Sequence, residues 1–141
     1  MARVLGIDVG QRRVGLAVSD PTGTLARPLM TLTVTGPADA LTKVAKEIAR
    51  LAAEDDGLAS IVVGRPARLD GSATDETARV EAFIEALASL ARLPIFPTDE
   101  RLTSVEAESR LALRERDWRR RKQKLDAAAA AVILQDYLDR R

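Results

Sequence analysis

The chain has 141 residues, enough for one ordinary domain with a real core, and 22 Lys plus Arg against 21 Asp plus Glu leave it at +1. It contains neither cysteine nor histidine, which excludes zinc fingers, disulfide stapling, thiol redox chemistry and catalysis by a histidine base. Its chemistry must rest on carboxylates, Lys, Ser or Thr, the one Tyr, or a hard cation such as Mg²⁺ or Mn²⁺ held by oxygen.

Met1-Ala2-Arg3 leads straight into an apolar segment, without a signal-peptide pattern. No apolar run reaches the ~20 residues of a membrane span. A cytoplasmic protein with no membrane partner is expected. Aromatic residues are few (Phe83, Phe96, Trp118, Tyr137), so base stacking is not its main device.

Val4-Leu5-Gly6-Ile7 reads as a strand ending at Asp8, and Val14-Gly15-Leu16-Ala17-Val18 as a second. The Gly-containing polar link between them predicts a β-hairpin. Asp20-Pro21-Thr22-Gly23 is a turn signal, and residues 29–34 read as a third strand. Leu41, Val44, Ile48 and Leu51 then mark one face of a helix over 37–54, with Pro37 suited to its first position. Ser60-Ile61-Val62-Val63-Gly64 is a continuous apolar run, as in a strand buried on both faces. Val80, Phe83, Ile84, Leu87 and Leu90 mark a second helix. Pro94-Ile95-Phe96-Pro97 is a short strand ending at Thr98-Asp99-Glu100. Thr103 with Glu106 has capping-box spacing and starts a third helix reaching about Leu113. After a basic stretch, residues 126–138 form an alanine-rich last helix. The order β-β-β-α-β-α-β-α-α predicts a single α/β domain over 1–141, with a mixed five-stranded sheet flanked by helices.

Three carboxylates fall at element ends, where open α/β sheets gather their ligand sites. Asp8 closes the first strand in an apolar run, a costly place for a charge unless it is paired or metal-bound. Its plainer reading is a hairpin-turn Asp bonded to the backbone amide of Gly10. Glu100 follows the last strand, and its plainer reading is a surface ion pair with Arg101. Asp126 opens the last helix and shares a face with Ala130, Ile133 and Tyr137. Its plainer reading is a helix N-cap. Three carboxylates without histidine suggest a Mg²⁺ or Mn²⁺ site suited to phosphodiester hydrolysis.

Residues 110–124 hold eight cations and two anions, so this segment carries +6 and the remainder −5. Arg-rich runs bind phosphates through charge and fork geometry. The plainer reading is a solvated loop. Arg12, Arg13, Arg65 and Arg68 lie in loops that could rim the site. Trp118, inside the basic run, is read as stacking on a base or as anchoring the loop to the core.

Gly6-Ile7-Asp8-Val9-Gly10-Gln11-Arg12-Arg13-Val14-Gly15-Leu16-Ala17 resembles the opening motif of the YqgF/RuvX family. So do Ile61-Val62-Val63-Gly64 with Leu69-Asp70-Gly71-Ser72, and Asp99-Glu100-Arg101-Leu102-Thr103-Ser104-Val105-Glu106-Ala107. Arg120-Arg121-Lys122-Gln123-Lys124-Leu125-Asp126, with Ile133-Leu134-Gln135-Asp136-Tyr137-Leu138, completes the set. Ser104 stands where Thr is common, and Arg65-Pro66-Ala67-Arg68 is more basic than the family's usual segment.

The resemblance implies an RNase H-like fold and a metal-dependent nuclease with Asp8, Glu100 and Asp126 as its acidic triad. It implies that Asp8 bridges two Mg²⁺ or Mn²⁺ ions and that Glu100 and Asp126 each complete a site. Hydrolysis would leave a 3′-hydroxyl and a 5′-phosphate. Arg12, Arg13, Arg65, Arg68, Arg101, Arg119, Arg120, Arg121, Lys122 and Lys124 are the expected nucleic-acid contacts. The family is associated with 5′-end maturation of 16S rRNA and with Holliday junction resolution. Junction resolution takes two symmetric cuts and would predict a C2 homodimer. Two other classes stand beside these: a non-catalytic nucleic-acid module, and an actin-like phosphotransfer domain, which needs two such domains where this length supplies one.

Overall fold

β1 (Arg3–Val9) and β2 (Arg13–Ser19) pair antiparallel, with Leu5 opposite Val18 and Asp8 opposite Gly15. Their tight link closes as the hairpin the sequence predicts, where the Gly10 N–H donates to the Arg13 carbonyl at 2.9 Å. The computed structural model describes residues 2–65, 75–99 and 118–141, and for 118–124 the backbone alone.

β3 (Ala26–Thr33) adds antiparallel to β2 at one sheet edge. It starts earlier than the expected residue 29 and carries Pro28 where the register shifts, a position an edge strand tolerates because Pro offers no ladder donor. β4 (Leu58–Arg65) runs parallel to β1, and β5 (Ile95–Asp99) runs parallel to β4. The sheet order is β3-β2-β1-β4-β5. Parallel neighbours need crossovers. α1 (Pro37–Ala53) carries the chain from β3 to β4, and α2 (Asp75–Leu90) lies between β4 and β5.

Alternation along the strands separates two cores. Leu5, Ile7, Val14, Leu16, Val18, Ile61 and Val63 pack with Val44, Ile48 and Leu51 of α1 and Val80, Phe83 and Leu87 of α2. Val4, Ala17 and Val62 point to the other face. There they meet Ala130, Ile133, Leu134 and Leu138 of α3 (Trp118–Arg140). β4 is buried on both faces from Ser60 to Gly64, as its unbroken apolar run requires. Leu5, Ile7, Leu16 and Ile61 are wholly buried, each stabilising the fold by roughly 1.5–3 kcal/mol relative to exposure.

Arg3 is a buried charge that ties the two layers. Its guanidinium donates to the Leu51 and Gly57 carbonyls and to the Glu54 carboxylate, each at 3.1 Å. The start of β1 is thereby pinned to the end of α1.

The last helix corrects the sequence reading. It begins at Trp118, not at Asp126. Residues 118–125 hold Arg, Lys, Gln and Leu with no Gly or Pro, so local propensity carries the helix upstream through the basic run. Asp126 is therefore a helix-interior residue and not an N-cap. The helix expected over 103–113 lies outside the described residues. Among the described residues, no helix is long and apolar enough to cross a membrane.

Candidate active site

Alternation in β1 sets Val4, Gly6 and Asp8 toward α3. In β2 the same face carries Arg13, Gly15 and Ala17. α3 crosses this strand pair at very close range. A Cβ built on Gly6 would sit 2.8 Å from the Leu134 Cβ and 3.1 Å from the Ala130 carbonyl oxygen. A Cβ on Gly15 would overlap the Asp126 carbonyl. Only glycine admits a helix backbone at this range. The alanine run at 127–131 supplies the matching small surface on the helix.

This packing delivers Asp126 to the strand pair that carries Asp8. Leu134 lies over Gly6 and Asp126 over Gly15, so α3 runs antiparallel to β1. Upstream of Asp126 the helix continues past the C-terminal end of β1. β4 and β5 point the same way and end at Arg65 and Asp99. The two carboxylates therefore sit where parallel strands present their C-terminal ends, the usual ligand position in such sheets. Both residues are half-buried.

Asp126 has a partner from the hairpin. The Arg13 Nε donates to Asp126 Oδ2 at 2.7 Å, with side-chain exposures of 42% and 24%. Partial exposure limits such a pair to about 1 kcal/mol. The pair also orients both groups, because a charge-assisted N–H fixes the carboxylate plane. The Gly10 amide, which the plainer reading of Asp8 assigned to its carboxylate, donates instead to the Arg13 carbonyl.

The other expected contacts separate. Arg12 is exposed at the hairpin tip, beside Arg13. Arg65 follows Ile61 and Val63 by alternation and turns to the α2 face. Its Nε lies 3.2 Å from the Glu81 carboxylate, an ion pair without hydrogen-bond geometry. Arg119, Arg120, Arg121, Lys122 and Lys124 stand on the first turns of α3. At 1.5 Å per residue, Arg119 is about 10 Å along the axis from Asp126. Glu100, Arg68 and Arg101 lie outside the described residues.

A cleft of about 260 Å³ opens on the α1/α2 face, lined by Val9, Gly10, Gln11, Pro37, Arg79 and Phe83 among others. The Gln11 amide oxygen, in the orientation that satisfies both groups, accepts from Arg79. Nothing in the sequence pattern marks this cleft, since it depends on where α1 and α2 meet the hairpin.

The donor set beside α3 suits a hard cation. Asp8 and Asp126 offer carboxylate oxygens, and the chain has no His or Cys to draw a softer metal. Among the described residues no third acidic side chain joins them. Glu100 follows directly after Asp99 in the chain, outside that set.

A family model described as "RuvX: Holliday junction resolvase" matches residues 2–140. A protein of Chloroflexus aggregans named "Putative pre-16S rRNA nuclease" is 41% identical over 138 residues, covering 98% of this chain and 94% of its own. A protein of the same name from Anaeromyxobacter dehalogenans is 41% identical over 139 residues, covering 99% and 98%. Among solved structures, T. thermophilus RuvC in complex with Holliday junction substrate aligns with a TM-score of 0.58 at 16% identity, over 100% of this chain and 96% of that one. The yeast mitochondrial Holliday junction resolvase Ydc2 aligns at 0.53 and 16% identity, over 97% and 78%. These two likenesses show the fold, which is the RNase H-like sheet the opening motif implies. Matched over nearly its whole length by the family model and by these relatives, the chain belongs to the RuvX family.

Proposed function

We propose that this protein is a nuclease that hydrolyses phosphodiester bonds with a divalent cation, and that its substrate is the 5′ end of pre-16S rRNA in ribosome biogenesis. One observation carries the site assignment. α3 sets Asp126 onto the strand pair that carries Asp8, at the C-terminal ends of the parallel strands. Asp8, Asp126 and Glu100 would hold Mg²⁺ or Mn²⁺. When bound, such a cation polarises a phosphoryl oxygen and lowers the pKa of water.

The chain's own residues bring the strand to that point. Arg12 presents an exposed charge at the hairpin tip, beside the Arg13–Asp126 pair. The +6 segment runs in sequence into the first turns of α3, just upstream of Asp126, and its charge suits a phosphate backbone. The likeness to relatives named for pre-16S rRNA supports RNA as the substrate.

A second reading is resolution of branched DNA, favoured by the description of the family model. It requires two symmetric cuts and hence a C2 dimer. One assay separates the two. The purified protein is incubated with 5′-extended 16S precursor RNA or four-way junction DNA, in Mn²⁺ or Mg²⁺, with and without chelator. The proposal expects RNA cleavage that is lost on chelation and restored by the cation. Preferential, symmetric junction cleavage by a dimer would give the second reading. Binding of both substrates without cleavage under either cation would contradict a nuclease.

A further inference from the structure

We propose that Arg13 is a latch on Asp126: it holds one oxygen of the carboxylate, and a divalent cation ligating Asp126 competes with it for that group. This rests on the reading that Asp126 holds a cation.

Three observations carry it. First, the contact is direct, with Arg13 Nε 2.7 Å from Asp126 Oδ2, so the guanidinium occupies one carboxylate oxygen. Second, the two residues come from different elements with rigid frames. Arg13 starts β2, and Asp126 lies inside α3, whose backbone is seated on Gly15, two residues from Arg13. The contact is therefore set by the hairpin–helix packing and not by a loop. Third, Arg13 keeps 42% of its side chain exposed, so it has solvent to swing into when Asp126 is taken by another cation.

The electrostatics set the sign of the effect. A guanidinium and a divalent cation on one carboxylate repel each other at a few ångströms, where the interaction is strong even at the dielectric of a protein surface. The cation must therefore work against the Arg13 charge as well as shed its own water. Once released, the Arg13 side chain stands next to Arg12 at the mouth of the site, free to pair with a phosphate. Metal loading and phosphate capture are then linked through one side chain: each makes the other more favourable, by the same factor.

The test is Mn²⁺ titration calorimetry, with electron paramagnetic resonance of free Mn²⁺ as a second readout. It compares the full chain with Arg13→Ala, Arg13→Gln, Arg13→Lys and Asp126→Asn. Removing the charge should tighten Mn²⁺ binding by about fivefold, the size of a partly exposed ion pair. Arg13→Lys, which keeps the charge, should stay close to the parent. Arg13→Gln keeps most of the side-chain volume and must show the same tightening should Arg13→Ala fail to fold. A residue with a merely structural role would weaken metal binding when removed, the opposite sign. Unchanged or weaker Mn²⁺ affinity in Arg13→Ala and Arg13→Gln, with the parent binding normally, overturns the latch alone. No Mn²⁺ binding by the parent, or equal binding by Asp126→Asn, overturns the metal-site reading and the latch with it.

Discussion

Gly15 lies beneath the backbone of Asp126, so close that a Cβ at position 15 would overlap the Asp126 carbonyl. The obstacle is backbone, which cannot rotate away as a side chain can. Gly15→Ala should therefore lift α3 off the strand pair and cost about 1–3 kcal/mol of stability, the usual scale of overpacking. It should also lower cleavage, because Asp126 moves away from Asp8. Gly6→Ala meets the Leu134 Cβ at 2.8 Å and should disturb the fold less. Urea unfolding of both variants checks the order. Equal stability of Gly15→Ala and the parent would contradict the close seating of α3.

The basic run should act through salt-dependent binding. Replacing Arg120, Arg121 and Lys122 by Gln removes three cations and keeps a residue of good helix propensity. RNA affinity should fall, and the slope of log affinity against log salt should shrink by roughly two to three, near one for each phosphate that is no longer neutralised. Fluorescence anisotropy at several salt concentrations measures this. An unchanged slope would return the run to the role of a solvated surface.

Asp20 organises the turn before β3 and makes a pH prediction. The Thr22 hydroxyl, the Leu25 amide and the Thr24 amide donate to its carboxylate and lower its pKa from 3.8 to about 2. A depressed carboxylate stabilises the fold above its unfolded value, and that contribution is lost as pH falls through the folded value. Thermal unfolding of Asp20→Asn should show a constant deficit above about pH 5. The deficit should close between 3.8 and about 2. A deficit that persists unchanged at pH 2 would contradict the carboxylate's role in the turn.

Much of this was legible in the sequence because it is local. Strand alternation, the helical spacing of Leu41, Val44, Ile48 and Leu51, and the unbroken apolar run at 60–64 report on immediate neighbours. So did the placing of Asp8 at a strand end. What escaped reading is contact across the chain. Arg13 reaches a partner 113 positions away, and no spacing rule marks it. Gly15 looks like any strand glycine until α3 is seated on it. Arg65 shares a face with Ile61 and Val63, yet with both faces of β4 apolar the pattern could not say which face holds the carboxylates. The early start of α3 was hidden by its charge, which suggests a loop although Arg, Lys and Gln are good helix formers.

In the proposed function, Asp8 and Asp126 act together on a divalent cation in phosphodiester hydrolysis. The most direct measurement is single-turnover cleavage of 5′-extended 16S precursor RNA in Mn²⁺ by the parent and by Asp8→Asn. That substitution removes a charge and keeps the side-chain shape. Its fold should be unchanged by circular dichroism, and its rate should fall by about 100-fold or more, the loss typical when one preorganised electrostatic contact is removed. Cleavage by folded Asp8→Asn at the parent's rate would contradict the assignment.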